Sequence, residues 1–243
     1  FSNPVLPTFF QIKRFLRYWL HAVEEHSLHS PFFYDFYTKV VKANTTDVSR
    51  FEKFEEYRRQ LLKNNTPVAR VDFGAGSVSN NKKITVSSIA RDSSSPKRYS
   101  DLYTRIIAYF KHTNVLELGT SLGINTLYLS SSPSAQVTSF EGDPALISFA
   151  EEAARSLGIH NIQYIEGNID QTLEQHLLQS PRVDFAFLDA NHQYNPTLRY
   201  SNILIKRTHP GSVVVLDDIH LSPAMEKAWN ELRSHELVYA SAD

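Results

Sequence analysis

Apolar and polar positions alternate in two rhythms along the second half of the chain. Tyr99, Leu102, Tyr103, Ile106, Ile107 and Phe110 recur at three- and four-residue spacing and predict an amphipathic helix. VLEL (115–118) is a short apolar run around one acid and reads as a buried strand, with INTLYLSS (124–131) as the helix after it. QVTSFEG (136–142), NIQYIEG (161–167), VDFAFLDA (183–190) and SVVVLDD (212–218) predict four more strands. End signals mark the helices between them: Asp143 as a cap, Pro144 in the first turn and Gly158 just past the end of one. Ser222-Pro223 opens another, whose Met225, Ala228, Trp229 and Leu232 form a stripe. ELVYASAD (236–243) reads as a sixth strand, and the expectation beyond it is either a truncated chain or an absent final strand.

Nearly continuous apolar strands separated by helices imply a parallel sheet covered on both faces. Right-handed crossovers make it doubly wound, so the fold class is α/β, a mostly parallel Rossmann-like sheet. This pattern occupies residues 96–243. Residues 1–95 differ: they are aromatic-rich, helical in pattern, and end in the polar run NNKKITVSSIARDSSSP (80–96), which suggests an N-terminal helical extension or cap. Its opening helix, about 8–25, carries Ile12, Phe15, Leu16, Trp19, Leu20 and Val23 on one stripe, with Lys13, Arg14 and Arg17 off it. The stripe is expected to pack on its own domain or on a dimer mate, in preference to a membrane surface.

Composition narrows the function classes. The 243 residues are 42% hydrophobic and 21% charged, with a net charge of −1, so no overall basic field recruits nucleic acid or an acidic membrane. No cysteine is present, which removes disulfides, thiolate catalysis and thiolate metal sites and fits a reducing, cytoplasmic setting. No secretory pattern or spanning apolar stretch is found. The chain begins with Phe1, and its natural start is expected to precede it.

Two phrases resemble a cofactor-cradling turn: VDFGAGS (71–77) and VLELGTSLG (115–123). Such a turn needs a helix start facing the ligand and a following strand that ends in an acid for a ribose. The later phrase has both, since INTLYLSS follows directly and Glu141 ends the next strand 24 residues after Glu117. The earlier one has neither, and its Gly74 and Gly76 read as a tight turn or a loop over the site. The turn also departs from GxGxxG, because Gly119 and Gly123 are separated by Thr-Ser-Leu and Glu117 precedes them. A carboxylate there suits a positively charged ligand better than a pyrophosphate, which disfavours a nicotinamide-dependent oxidoreductase.

With ELGTSLG, FEGDP, EGNID, VDFAFLDANHQY and GSVVVLDDIH in order, the chain resembles the class I S-adenosylmethionine-dependent methyltransferases over about 96–243. The arrangement is most similar to the catechol-type small-molecule O-methyltransferases and their bacterial relatives, and HSLHSPFFYDFYTKVV (26–41) resembles the N-terminal region of some of those relatives. The resemblance implies that Glu117 and the turn through Gly119, Thr120, Ser121 and Gly123 hold the methionine part of the cofactor. It implies that Glu141, beside Gly142, binds the ribose and that Asn168 and Ile169 contact adenine.

Catechol-type enzymes hold a divalent cation with an Asp after strand four and an Asp-Asn pair after strand five, beside a Lys base. Here Asp189, Asp217 and Asp218 fall at those places, with Asp for Asn, and His192 falls where the Lys would be. The resemblance therefore implies Mg²⁺ or Mn²⁺ on Asp189, Asp217 and Asp218, with His192 as base or fourth ligand. A metal-free alternative leaves His192 alone as the base, and the Asp pair also fits helix capping. His26 and His29 read as a structural pair, while His220 and Tyr194 are expected near the pocket. The expected partner is a small-molecule methyl acceptor, not nucleic acid. The competing class is a non-catalytic module that keeps the fold.

Overall fold

The computed structural model describes residues 30–43, 48–69, 84–180 and 182–242. The helix expected at 8–25, the pair His26 and His29, and the VDFGAGS phrase lie outside these residues.

Five strands form one parallel sheet: β1 (Asn114–Leu118), β2 (Gln136–Glu141), β3 (Ile162–Glu166), β4 (Phe185–Leu188) and β5 (Val213–Leu216). Their order is β3-β2-β1-β4-β5, so the winding reverses at β1 and opens a crevice beyond the carboxyl ends of β1 and β4. Register places Glu117 opposite Ser139 of β2 and Phe187 of β4. The helices are α1 (Pro31–Phe36, running into a π-turn at Tyr37–Val41), α2 (Val48–Lys63), α3 (Val86–Asp92), α4 (Lys97–Phe110) and α5 (Ile124–Leu129). They continue with α6 (Pro144–Ser156), α7 (Ile169–Gln179), α8 (Tyr194–Ile205) and α9 (Pro223–Leu232).

Each end signal read from the sequence is realised. The Asp143 carboxylate accepts the Ala145 N–H at 3.0 Å at the start of α6, and Gly158 turns left-handed (φ +68°) just past its end. Ser222 caps α9 by accepting the Met225 N–H. Lys97–Phe110 buries Tyr103, Ile106 and Ile107 on the stripe predicted for it.

One difference follows from packing. Residues 236–242 form no strand: Val238 N–H turns back to the His235 carbonyl, and Leu237 and Tyr239 stay exposed. A β-prone sequence becomes a strand only when a neighbour supplies a ladder, and this segment does not pair with the edge strand β5. The N-terminal helices pack against those that flank the sheet. Phe51 and Phe54 of α2 and Val86 and Ile89 of α3 share one buried cluster with Leu127 and Tyr128 of α5 and Leu146 of α6. Phe51 stacks on Tyr128 at 4.9 Å, and the Tyr128 hydroxyl donates to Glu55 at 2.7 Å. Burying each such aromatic contributes about 2–3 kcal/mol, so α2 and α3 stand as part of the layer that backs the crevice.

Candidate functional site

Past Leu118 the chain must leave β1 without colliding with β4. Gly119 achieves this at φ +105°, where a Cβ would stand 2.2 Å from the Asp189 carbonyl oxygen. Four residues on, Gly123 (φ +78°) begins α5 against α6, with no room for a Cβ beside Ala150. The glycines of the turn are therefore needed first for closure of the turn on its neighbours.

Beneath the turn lies Glu117, fully buried. Its carboxylate accepts the Thr126 and Ser139 hydroxyls, each at 2.5 Å, and the Asn125 amide at 3.0 Å. The Thr120 hydroxyl in turn meets Ser139 at 2.5 Å. Burial pushes Glu117 up to about 7, and the three donors only partly offset this. Glu117, which the resemblance expects at the methionine part of the cofactor, thus lies behind the turn and off the crevice wall. Glu117, Thr120 and Gly123 brace the turn from behind, and only Gly119 and Ser121 of this group reach the crevice wall.

The crevice is a cavity of about 820 Å³. At one end, Glu141 is fixed by backbone: Oε2 accepts the Ser121 N–H at 2.8 Å and Oε1 the Asp143 N–H at 3.0 Å. Each oxygen keeps a lone pair for a further donor. Gly142, Asn168 and Ile169 line the wall nearby, and Asn168 caps α7 by accepting the Asp170 N–H at 2.9 Å.

At the other end, Asp189, His192, Asp217 and Asp218 share the wall. Asn191 (φ +67°) and His192 (φ +32°) are both left-handed, and the turn they make carries the imidazole back toward β4. His192 Nε2 lies 3.3 Å from Asp189 Oδ1, while Nδ1 is 3.9 Å from Asp218 Oδ2. The hydrogen bond to Asp189 raises the imidazole pKa above its usual value, against the opposing effect of burial. Burial, with Asp189 next, pushes Asp217 up to about 6.

The resemblance implies a divalent cation on Asp189, Asp217 and Asp218. Among the described residues no group of three or more His, Asp or Glu side chains is arranged to hold a metal ion. The reason is local: the His192 ring faces both Asp189 and Asp218, and Asp218 (φ +53°) is half exposed. Its N–H donates to Asp217 Oδ1 at 2.8 Å, a local hydrogen bond in the loop after β5 rather than a helix cap, since Ser222 caps α9.

Several wall residues escaped the sequence reading. Tyr99 and Tyr103 reach the cavity from α4, and Tyr200 from α8. They sit at helical spacing in stripes that read equally well as core. Ser93 to Pro96, read as part of a polar boundary, form wall instead, and the Ser93 hydroxyl meets that of Ser121 at 2.7 Å. Arg58 of α2 donates to the Ser95 carbonyl at 2.8 Å, tying this segment down. Tyr194, by contrast, donates to Glu231 of α9 at 2.6 Å and packs under Lys227, away from the cavity wall, and His220 is also outside it.

Residues 116–219 match the family model described as "Methyltransferase domain". No curated protein matches in sequence. Among solved structures, the fold is similar to an SAH-bound methyltransferase of Podospora anserina (14% identity, TM-score 0.58, 96% of this chain and 91% of that one). It is also similar to an O-methyltransferase of Bacillus cereus in complex with SAH (14% identity, TM-score 0.56, covering 83% and 85%). A third is the O-methyltransferase TomG of Streptomyces achromogenes in complex with SAM (16%, TM-score 0.53, covering 82% and 81%). Residues 116–219 thus match a methyltransferase domain, on a fold shared with methyltransferases of known structure.

Proposed function

We propose that this chain moves a methyl group from S-adenosylmethionine to a hydroxyl oxygen of a small molecule, with His192 as general base. One observation carries the reading. A single cavity has an acid held by backbone N–H groups at one end, Glu141, and an oriented imidazole, His192 on Asp189, at the other. The O-methyltransferases that share the fold support oxygen as the acceptor atom.

When bound, S-adenosylmethionine supplies an electrophilic methyl on a sulfonium sulfur. Glu141 offers its remaining lone pairs to ribose hydroxyls, Gly142, Asn168 and Ile169 form the adenine side, and Gly119 and Ser121 meet the methionine portion. Glu117 acts through the turn that it braces. Asp189 takes His192 Nε2 and fixes the ring, which leaves Nδ1, 3.9 Å from its nearest acid, to receive a proton. The acceptor oxygen bonds to the methyl carbon as the carbon–sulfur bond breaks with its electron pair left on sulfur, and the hydroxyl proton passes to His192. The resemblance implies Mg²⁺ or Mn²⁺ on Asp189, Asp217 and Asp218, and a cation held there would lower the pKa of the acceptor hydroxyl.

We read the setting as cytoplasmic, in keeping with a chain free of cysteine. Among the described residues no helix is long and apolar enough to cross a membrane. Calorimetric titration with S-adenosylmethionine and with NAD tests the reading. Binding of the first alone, abolished in Glu141→Ala and kept in His192→Ala without turnover, is expected. A folded protein that ignores S-adenosylmethionine overturns it.

A further inference from the structure

α2 lies outside residues 116–219, yet neighbouring side chains on it hold two separate parts of the crevice. The Tyr57 hydroxyl is 3.0 Å from the Leu122 carbonyl oxygen, inside the β1 turn, and 3.3 Å from that of Phe149 in α6. Leu122 is buried, and a carbonyl there that loses its donor finds little water to replace it. The next residue reaches a second part of the wall. Arg58 Nη1 donates to the Ser95 carbonyl at 2.8 Å, and Nε donates to Glu55 Oε1 at 3.1 Å, an oxygen that also accepts the Tyr128 hydroxyl of α5. Arg58 Nη2 is buried with no partner. A guanidinium only 12% exposed that leaves a donor unmet is a cost to stability, so the loop carbonyl it holds calls for another reason.

The two parts meet at a pair of serines. Ser93 gives its hydroxyl proton to the Ile89 carbonyl at 2.8 Å, so the 2.7 Å contact with Ser121 is a bond that Ser121 donates. The Ser121 N–H goes to Glu141. Ser121 stands at φ +49°, a conformation that a residue with a side chain keeps only where its surroundings impose it. It is held along the chain by Leu122 and Tyr57, across the wall by Ser93 and Arg58, and from below by Glu141. A cradle set before binding needs less ordering when its ligand arrives, so loosening it appears as lost affinity.

We infer that Tyr57 and Arg58 are positioning residues for the cofactor. Tyr57 holds the β1 turn through the Leu122 carbonyl, Arg58 holds the Ser93–Pro96 wall through the Ser95 carbonyl, and together they preset Ser121 and Glu141 for S-adenosylmethionine. The inference rests on the methyltransferase reading for the identity of the ligand, but the bracing of the turn by α2 belongs to the ligand-free protein.

Tyr57→Phe, which removes a single oxygen atom, is the first test. Calorimetry with S-adenosylhomocysteine on the full chain should show binding weakened about fivefold, the size of one neutral hydrogen bond. KM for S-adenosylmethionine should rise in step, while kcat moves by less than about twofold. Arg58→Lys should weaken binding to a similar extent, and that loss should disappear in a Ser93→Ala background, where the wall is no longer tied to the turn. The loss from Tyr57→Phe should persist there. Ser93 is exposed, so Ser93→Ala keeps the fold even where an Arg58 variant does not, and alone it should match Arg58→Lys. Unchanged binding with a lowered unfolding midpoint in Tyr57→Phe and Ser93→Ala makes α2 a structural layer only and overturns the inference. So does an Arg58→Lys loss that is the same with and without Ser93. Amide hydrogen exchange over residues 119–123, read without ligand, should be faster in Tyr57→Phe than in wild type, and unchanged exchange overturns the inference as well. A wild type that ignores S-adenosylhomocysteine sinks the methyltransferase reading instead, and the exchange comparison would still judge whether α2 sets the turn.

Discussion

β4 is four residues long and has an aspartate immediately outside each end. Asp184, before it, is buried and saturated: Oδ2 accepts the Thr113 N–H and hydroxyl and the Asn114 N–H, and Oδ1 meets His209 Nε2 at 2.8 Å and Arg182 Nε at 3.0 Å. Burial alone would raise Asp184, but these donors outweigh it and hold the carboxyl well below the usual carboxylate range. Asp189, after the strand, has one side-chain partner, His192 at 3.3 Å, and faces the cavity. The same residue type on the same strand thus does opposite work. At the amino ends of the strands every acceptor is used to lock β1 to β4. At the carboxyl ends acceptors are left over, and burial, with the neighbouring Asp189 next, pushes Asp217 up to about 6.

The contrast is broken most severely at the point where the two strands touch. Gly119→Ala must fit a Cβ 2.2 Å from the Asp189 carbonyl oxygen at a φ that side chains rarely adopt. We expect a cost above about 4 kcal/mol, seen as insoluble protein or a collapsed thermal transition, together with loss of S-adenosylhomocysteine binding. A variant melting with the wild type would show that β4 can withdraw from the turn.

His192→Ala is next, and acts on chemistry alone. Turnover should fall by roughly 10²–10⁴-fold while the unfolding midpoint barely moves. Asp184→Ala should do the reverse. It strands five donor contacts and should lower stability by about 3 kcal/mol, with turnover per folded molecule kept. A loss of turnover at unchanged stability in Asp184→Ala would erase the distinction between the two ends. Asp189→Asn is a finer probe. The bond to Asp189 is what raises the His192 pKa, and a base must be neutral to act. The acid limb of the rate profile should therefore move to lower pH in the variant, and an unmoved limb would remove Asp189 from its orienting role.

Much of the arrangement was legible in the sequence, because the signals are local. The β1 turn, the acid at the end of β2 and the caps of α6 and α9 are each written within about ten residues, and all appear where expected. Depth was not legible. Glu117 is two residues from Gly119 in the chain but lies behind the turn, a distinction set by which face of β1 packs on α5. Side-chain direction at the expected cation site was not legible either. Asp189, Asp217 and Asp218 are at the right places along the chain, yet the left-handed Asn191-His192 pair and Asp218 redirect the side chains. The wall contributed by Ser93 to Pro96 depends on α2 and α3 packing against α5, and no short motif records that contact.

The smallest expected effect separates the two ends by pH. Glu117 has a folded value of about 7 against an ordinary 4.5, so the protonated form is favoured in the folded protein. The stability it contributes is fully present below about pH 4.5 and is lost as pH rises toward about 7, on the order of 3 kcal/mol in total. Asp184 has the opposite sign. Its contribution is present above its ordinary 3.8 and is lost as pH falls below it. Glu117→Gln keeps the size and the hydrogen bonds of the protonated acid, so it should flatten the decline on the alkaline side without changing the acid limb. Asp184→Asn should instead remove the acid limb and leave the alkaline side as it was. Some slope should persist in Glu117→Gln near pH 6, where Asp217 titrates in the same sense. Denaturant unfolding of wild type and both variants across this range decides the matter. Parallel curves for wild type and Glu117→Gln would mean that Glu117 keeps its charge, held by Thr126, Ser139 and Asn125, and that the turn is braced by an anion after all.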